Sequence, residues 1–109
     1  MIRVFKHIVP KGYRGITIFP FIFLKQSVSK KDLVLINHEK IHLQQQIELL
    51  ILPFYIWYVL EFLYFYLKSF NWNKAYQQIS FEREAYSNEK DLNYLKSRSL
   101  WSFLKYVKP

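Results

Sequence analysis

Residues 49–67 read LLILPFYIWYVLEFLYFYL, and the fold turns on whether this stretch crosses a membrane or doubles back onto a packed core. Its length and apolarity fit a membrane-spanning helix. Pro53 and Glu61 interrupt it. The sequence on either side supplies the constraint that chooses between the two readings.

Just upstream lies NHEKIHLQQQ, residues 37–46, which contains His38-Glu39-Lys40-Ile41-His42. Ser29-Lys30-Lys31-Asp32 reads as a helix start, with Ser29 as N-cap and Asp32 in the first turn. Leu35, His38, His42, Gln45 and Leu49 follow at helical spacing. Histidines four apart on a helix project to one side, one turn above the other, so their ring nitrogens can converge on one ion. The chain has no cysteine, which leaves histidines and carboxylates as metal ligands. Glu39, one position after His38, is offset around the helix. It is poorly placed as a ligand and well placed to take a proton from metal-bound water. Zn²⁺ with three protein ligands and an open fourth position suits such a site.

Glu48, Glu61, Glu82, Glu84 and Glu89 are the downstream candidates for a third ligand. Glu48 falls on the far side of the histidine helix. Glu84 has Ser80, Ser87 and Asn88 as helical neighbours and is expected to face water. Glu82 shares an apolar stripe with Ala75, Ile79, Ala85 and Tyr86, on which Glu89 and Leu92 also fall. A carboxylate on such a stripe needs a metal or a counter-charge, so His38, His42 and Glu82 are the predicted ligands. His7 stands outside any motif spacing and reads as an ordinary strand residue.

His38-Glu39-Lys40-Ile41-His42 followed by Glu82-Arg83-Glu84-Ala85 resembles the gluzincin branch of the zincin metallopeptidases, which pairs an HExxH helix with a later glutamate helix reading E-x-x-A. In length the chain looks most like the minigluzincins. The similarity spans roughly residues 31–97. It implies a small zincin-like α+β domain with an N-terminal β-hairpin or short sheet. It also implies His38, His42 and Glu82 as zinc ligands and Glu39 as the general base of peptide hydrolysis. Relatives often carry Asp where this chain has Tyr86, and that Asp usually supports a ligand histidine. Tyr86 is expected to take over that support or to contact the substrate carbonyl.

A shared metal constrains the path from His42 to Glu82. A single span would leave the ligands on opposite sides of a membrane. As one continuous helix, residues 42–67 would climb about 37 Å, and the return from 73 to 82 would recover only about 14 Å. A break at Pro53, a residue suited to the first turn of a helix, lets a second helix run back and brings the ligands level to within about 8 Å. The expected organisation is one domain, 1–109: a β element over 1–26, an active-site helix over 30–52, an aromatic helix over 54–68, a glutamate helix over 74–97 and a C-terminal tail over 98–109. Glu61, mid-helix, is expected to pair with a Lys or Arg.

Residues 2–9 and 16–24, rich in β-branched and aromatic side chains, flank the turn signal PKGYRG. They read as a hairpin or two short strands. Pro20 assigns the second strand to an edge or a bulge, where an extended peptide could add. The N-terminus shows no apolar h-region or cleavage site, so a cytoplasmic location is expected. Sixteen Lys and Arg against eight Asp and Glu give a net charge of +8, which favours anionic partners. Nucleic acid is not expected among them, because the aromatics of 54–66 have no Lys or Arg interleaved. Tyr and Trp there suit a peripheral membrane contact or a homodimer. So short a chain is expected to lack a deep cleft and to act on a short or flexible peptide, with its own C-terminal segment available to cover the site. The alternative is a non-catalytic zinc-stabilised or membrane-peripheral interaction protein.

Overall fold

The computed structural model describes residues 2–5 and 7–107. Strands β1 (Ile2–Val4), β2 (Gly15–Ile18) and β3 (Phe21–Leu24) form one sheet in the order β1-β3-β2. β1 runs parallel to β3, with Ile2 opposite Ile22, and β2 runs antiparallel, with Ile18 opposite Phe21. The hairpin is therefore β2–β3, within 15–24, and does not join 2–9 to 16–24. Pro20, after a cis Phe19–Pro20 peptide, sits in its turn, where the missing N–H costs the ladder nothing. The strand after Pro20 is central, and the edge beside the helices is β2. Alternation along β3 sends Ile22 and Leu24 inward against Ile36.

Five helices follow: α1 (Leu33–Glu48), α2 (Leu52–Ser69), α3 (Trp72–Gln78), α4 (Ser80–Asn88) and α5 (Tyr94–Ser97), with 3-10 turns at Ser27–Lys31 and Ser102–Tyr106. The chain is thus a small α+β protein. Asp32 caps α1, accepting from the Leu35 N–H at 3.1 Å, while Ser29 belongs to the 3-10 turn before it. The buried face of α1 is mostly polar: Asn37, His38, Glu39, His42, Gln45 and Gln46 lie beside Ile36 and Ile41. Such a face is stable only if every group finds a partner. Among the described residues, no buried side-chain nitrogen or oxygen lacks one.

Between α1 and α2 the axis bends by 114°. The corner has the Schellman pattern: the Ile51 N–H reaches the Gln46 carbonyl at 2.7 Å and the Leu50 N–H reaches that of Ile47 at 3.2 Å. Leu50 adopts φ 58° there. Pro53 falls in the first turn of α2, where a helix tolerates it. Running back, α2 lays Phe54 against Ile79, Phe81 and Phe103, the larger of two apolar clusters. Among the described residues no single helix is long and apolar enough to cross a membrane.

The stretch expected as one helix over 74–97 is three. Ile79, extended at φ −57°, ψ 132°, divides α3 from α4. Glu61 accounts for that division. Its carboxylate accepts the Ser80 N–H and the Ser80 hydroxyl, each at 2.6 Å, and the Trp57 Nε1–H at 2.5 Å. It sits at the positive end of α4 instead of pairing with a Lys or Arg.

Candidate metal centre

His38 and His42 leave α1 one turn apart, and Glu82 meets them from the first turn of α4. His38 Nε2 lies 3.2 Å from Glu82 Oε1, and His42 Nε2 lies 3.0 Å from the same oxygen. The two Nε2 atoms are 3.2 Å apart. All three residues are buried. Ligand atoms about 2.0–2.1 Å from a tetrahedral ion are separated by about 3.3 Å, so the triangle matches one face of such a tetrahedron. The group could hold a metal ion.

Hydrogen bonds behind the rings fix which nitrogens face the centre. His38 Nδ1 is 2.7 Å from Glu89 Oε1, and an ionised carboxylate only accepts. His42 Nδ1 is 2.8 Å from Gln45 Oε1. That amide is oriented by donation to the Phe81 carbonyl at 3.1 Å and to Glu84 Oε1 at 2.8 Å. In the neutral rings both Nδ1 atoms therefore carry the hydrogen, and both Nε2 lone pairs point at Glu82. Three acceptors converging on one buried point need a cation or a proton between them. Burial works against a protonated His42, but the charge and hydrogen bond of Glu82 outweigh it, and the pKa is pushed up to about 9. Burial likewise opposes the Glu82 anion, and the paired imidazoles overcome it to hold that carboxyl well below the usual range.

Glu82 Oε2 accepts the Tyr58 hydroxyl at 2.7 Å. Burial, followed by the Glu82 charge, pushes that hydroxyl's pKa far up, so it stays a donor. Glu39 is buried, with Oε1 accepting from Thr17 Oγ1 at 2.8 Å. Gly15 lets β2 approach this closely: a Cβ there would meet Leu24 Cδ2 at 3.2 Å, the Phe23 carbonyl at 3.3 Å and Glu39 Cγ at 3.6 Å.

Glu39, His42 and Glu82 line a cleft of about 350 Å³, walled by Thr17 of β2, Tyr55, Tyr58 and Phe62 of α2, and Trp72 and Tyr76 of α3. The expectation of no deep cleft is corrected. The bend before α2 turns one helix into a wall opposite the sheet, so a small chain encloses real volume. The strand edge near Pro20 is not open to a peptide either. The Gln46 amide donates to the Thr17 carbonyl at 2.8 Å and accepts the Phe19 N–H at 2.9 Å, the bonds an added strand would make.

Tyr86 lies edge-on against His38, ring centroids 4.5 Å apart, and its hydroxyl bonds to Tyr76. It supports that histidine by contact, while the tyrosines facing the cleft include Tyr58 and Tyr76. Glu84 is fully buried and does not face water. It takes Arg98 Nη2 at 3.0 Å, Arg98 Nε, and the Tyr94 hydroxyl at 2.6 Å. Arg98 Nη1 also reaches Glu48 Oε2 at 2.6 Å. His7 is exposed in a turn. Among the described residues, none of the C-terminal segment lines the cleft. Phe103 packs instead on Phe81 and Trp57.

Sequence reasoning missed Glu89, Gln45, Tyr58 and Thr17 as supports of the site. Glu89 carried a signal, two turns beyond Glu82 on one stripe, and Gln45 sat one turn beyond His42. Nothing local marks Tyr58 or Thr17. No protein-family model, curated protein or solved structure matches this chain.

Proposed function

We propose that this protein is a zinc-dependent peptide hydrolase of the gluzincin kind, with His38 Nε2, His42 Nε2 and Glu82 Oε1 as ligands. The reading is carried by one observation: Glu39 lines the same cleft as His42 and Glu82. A base, two ligand side chains and room for a substrate meet in one place. Zn²⁺ bound there would polarise a peptide carbonyl and acidify a water. Glu39, steadied by Thr17, takes the proton of the attacking water on its carboxylate and returns it to the leaving amine nitrogen. Glu89 and Gln45 keep the ligand rings in one tautomer and orientation, and Tyr58 does the same for the Glu82 carboxylate. The aromatic walls exclude water and grip an apolar side chain of the peptide. A purely structural zinc site would need a fourth protein ligand, and the described His, Asp and Glu residues bring together three.

Elemental analysis beside a peptide-hydrolysis assay tests the proposal. Wild type is expected to carry zinc and cleave peptides. Glu39→Gln should keep its zinc and lose roughly 10²–10⁴-fold in rate, whereas Glu82→Ala should lose the metal. A wild type that takes up no zinc, or a Glu39→Gln variant as active as wild type, would sink it.

A further inference from the structure

We propose that the outer face of α2 docks on an anionic lipid bilayer. Only Phe54 and Phe65 of its 18 residues are buried. A helix apolar around most of its circumference is normally covered. Leu52, Ile56, Val59, Leu60, Leu63 and Leu67 recur three or four residues apart, each between 48 and 67 % exposed. The apolar surface continues past both ends. Leu50 and Trp101 are exposed at the N-terminal corner, where the Trp101 N–H bonds to Glu48. Phe70 and Trp72 are exposed beyond the C-terminus. From Leu52 to Leu67 the strip runs about 22 Å.

Charge selects what covers it. Most of the acidic side chains are taken up by partners. Glu39, Glu82 and Glu84 are buried, Glu48 is buried against Arg98, and Glu61 binds Ser80. Glu89 holds His38 and Asp32 caps α1 beside Arg14. Asp91 is the acidic residue left exposed. Against these, eleven Lys and Arg are exposed among the described residues. The described surface is therefore cationic, in keeping with the net charge of +8. Two copies meeting through α2 would bring like charge together, whereas anionic headgroups attract it. An apolar helix face with Trp and Tyr near its ends suits the interfacial layer of a bilayer. Val59 and Trp72 belong both to the exposed surface and to the cleft wall. Docking would thus set the cleft mouth at the lipid surface, within reach of apolar peptide segments lying there. That consequence rests on the proposed hydrolase activity, but docking itself does not.

Co-sedimentation of the 109-residue chain with phosphatidylcholine–phosphatidylglycerol vesicles tests the proposal. Binding is expected, and at least about tenfold weaker to pure phosphatidylcholine or at high salt. The double variant Ile56→Glu, Leu63→Glu should stay in the supernatant while keeping the far-ultraviolet circular dichroism and metal content of wild type. Wild type left in the supernatant with the mixed vesicles would overturn the proposal, whatever the variant does. So would a stable dimer in analytical ultracentrifugation that the same double variant dissociates, because the face would then belong to a second copy. Neither outcome bears on hydrolysis of a water-soluble peptide, so the two proposals fail separately.

Discussion

His42 and Glu82 face each other at 3.0 Å inside the protein, and what lies between them without metal depends on pH. The folded pKa of His42, about 9, stands above its ordinary 6.5. Its proton therefore stabilises fully below pH 6.5, and that contribution is lost as pH rises through 9. Glu82 is shifted down from 4.5, so its contribution is present above that pH and fades on acidification. Glu39 adds to the field that favours the His42 proton, and Gln45 accepts from its Nδ1. Chelator-treated protein should lose roughly 2–4 kcal/mol between the lower and the upper of the two His42 values. Thermal unfolding across that range checks it, with His42→Gln expected to flatten the profile. A flat wild-type profile would mean the pair shares no proton. A metal ion bound there would displace the same proton, so its affinity should climb over the same range.

At the scale of elements, the corner between α1 and α2 stands out. Leu50 holds the left-handed position that closes the Schellman pattern, a place where a Cβ costs energy and glycine does not. Leu50 is also 80 % exposed, so its side chain contributes little burial. Leu50→Gly is expected to stabilise the protein by roughly 0.5–1 kcal/mol, read as a higher denaturant midpoint at unchanged slope. Leu50→Ala, which keeps the Cβ, should bring no such gain. The turn after α1 was legible because a site shared by His42 and Glu82 forbids one continuous helix, and Pro53 with the rise of a helix shows where the chain can turn. The break between α3 and α4 was not, because the Glu61 carboxylate that draws the Ser80 N–H out of a continuous helix belongs to another element.

Across the whole molecule, Arg98 ties three segments together. It joins Glu48 at the end of α1 to Glu84 in α4 from beyond α5, and Glu84 orients the Gln45 amide under His42. Both carboxylates of this cluster are buried with the guanidinium. Removing one partner of a buried ion pair leaves an uncompensated charge. Arg98→Met is therefore expected to cost about 3–5 kcal/mol in denaturant unfolding and to weaken any metal binding at the triad by about tenfold or more through Gln45. Unchanged stability would show that the cluster is hydrated or rearranged in solution.

The sequence by itself determined the spacing of His38 and His42, the offset of Glu39 and the place of Glu82 on an apolar stripe. Each follows from helix periodicity or from the cost of burying a lone carboxylate, and both act within a few residues. Tertiary structure alone decided that Glu84 is buried, that Glu89 and Gln45 stand behind His38 and His42, and that Thr17 steadies Glu39. It also decided that α2 walls a cleft against β2 while leaving its outer face bare. Those partners lie far apart in the chain, and a side chain's choice among distant partners is made by packing and charge once the backbone has closed.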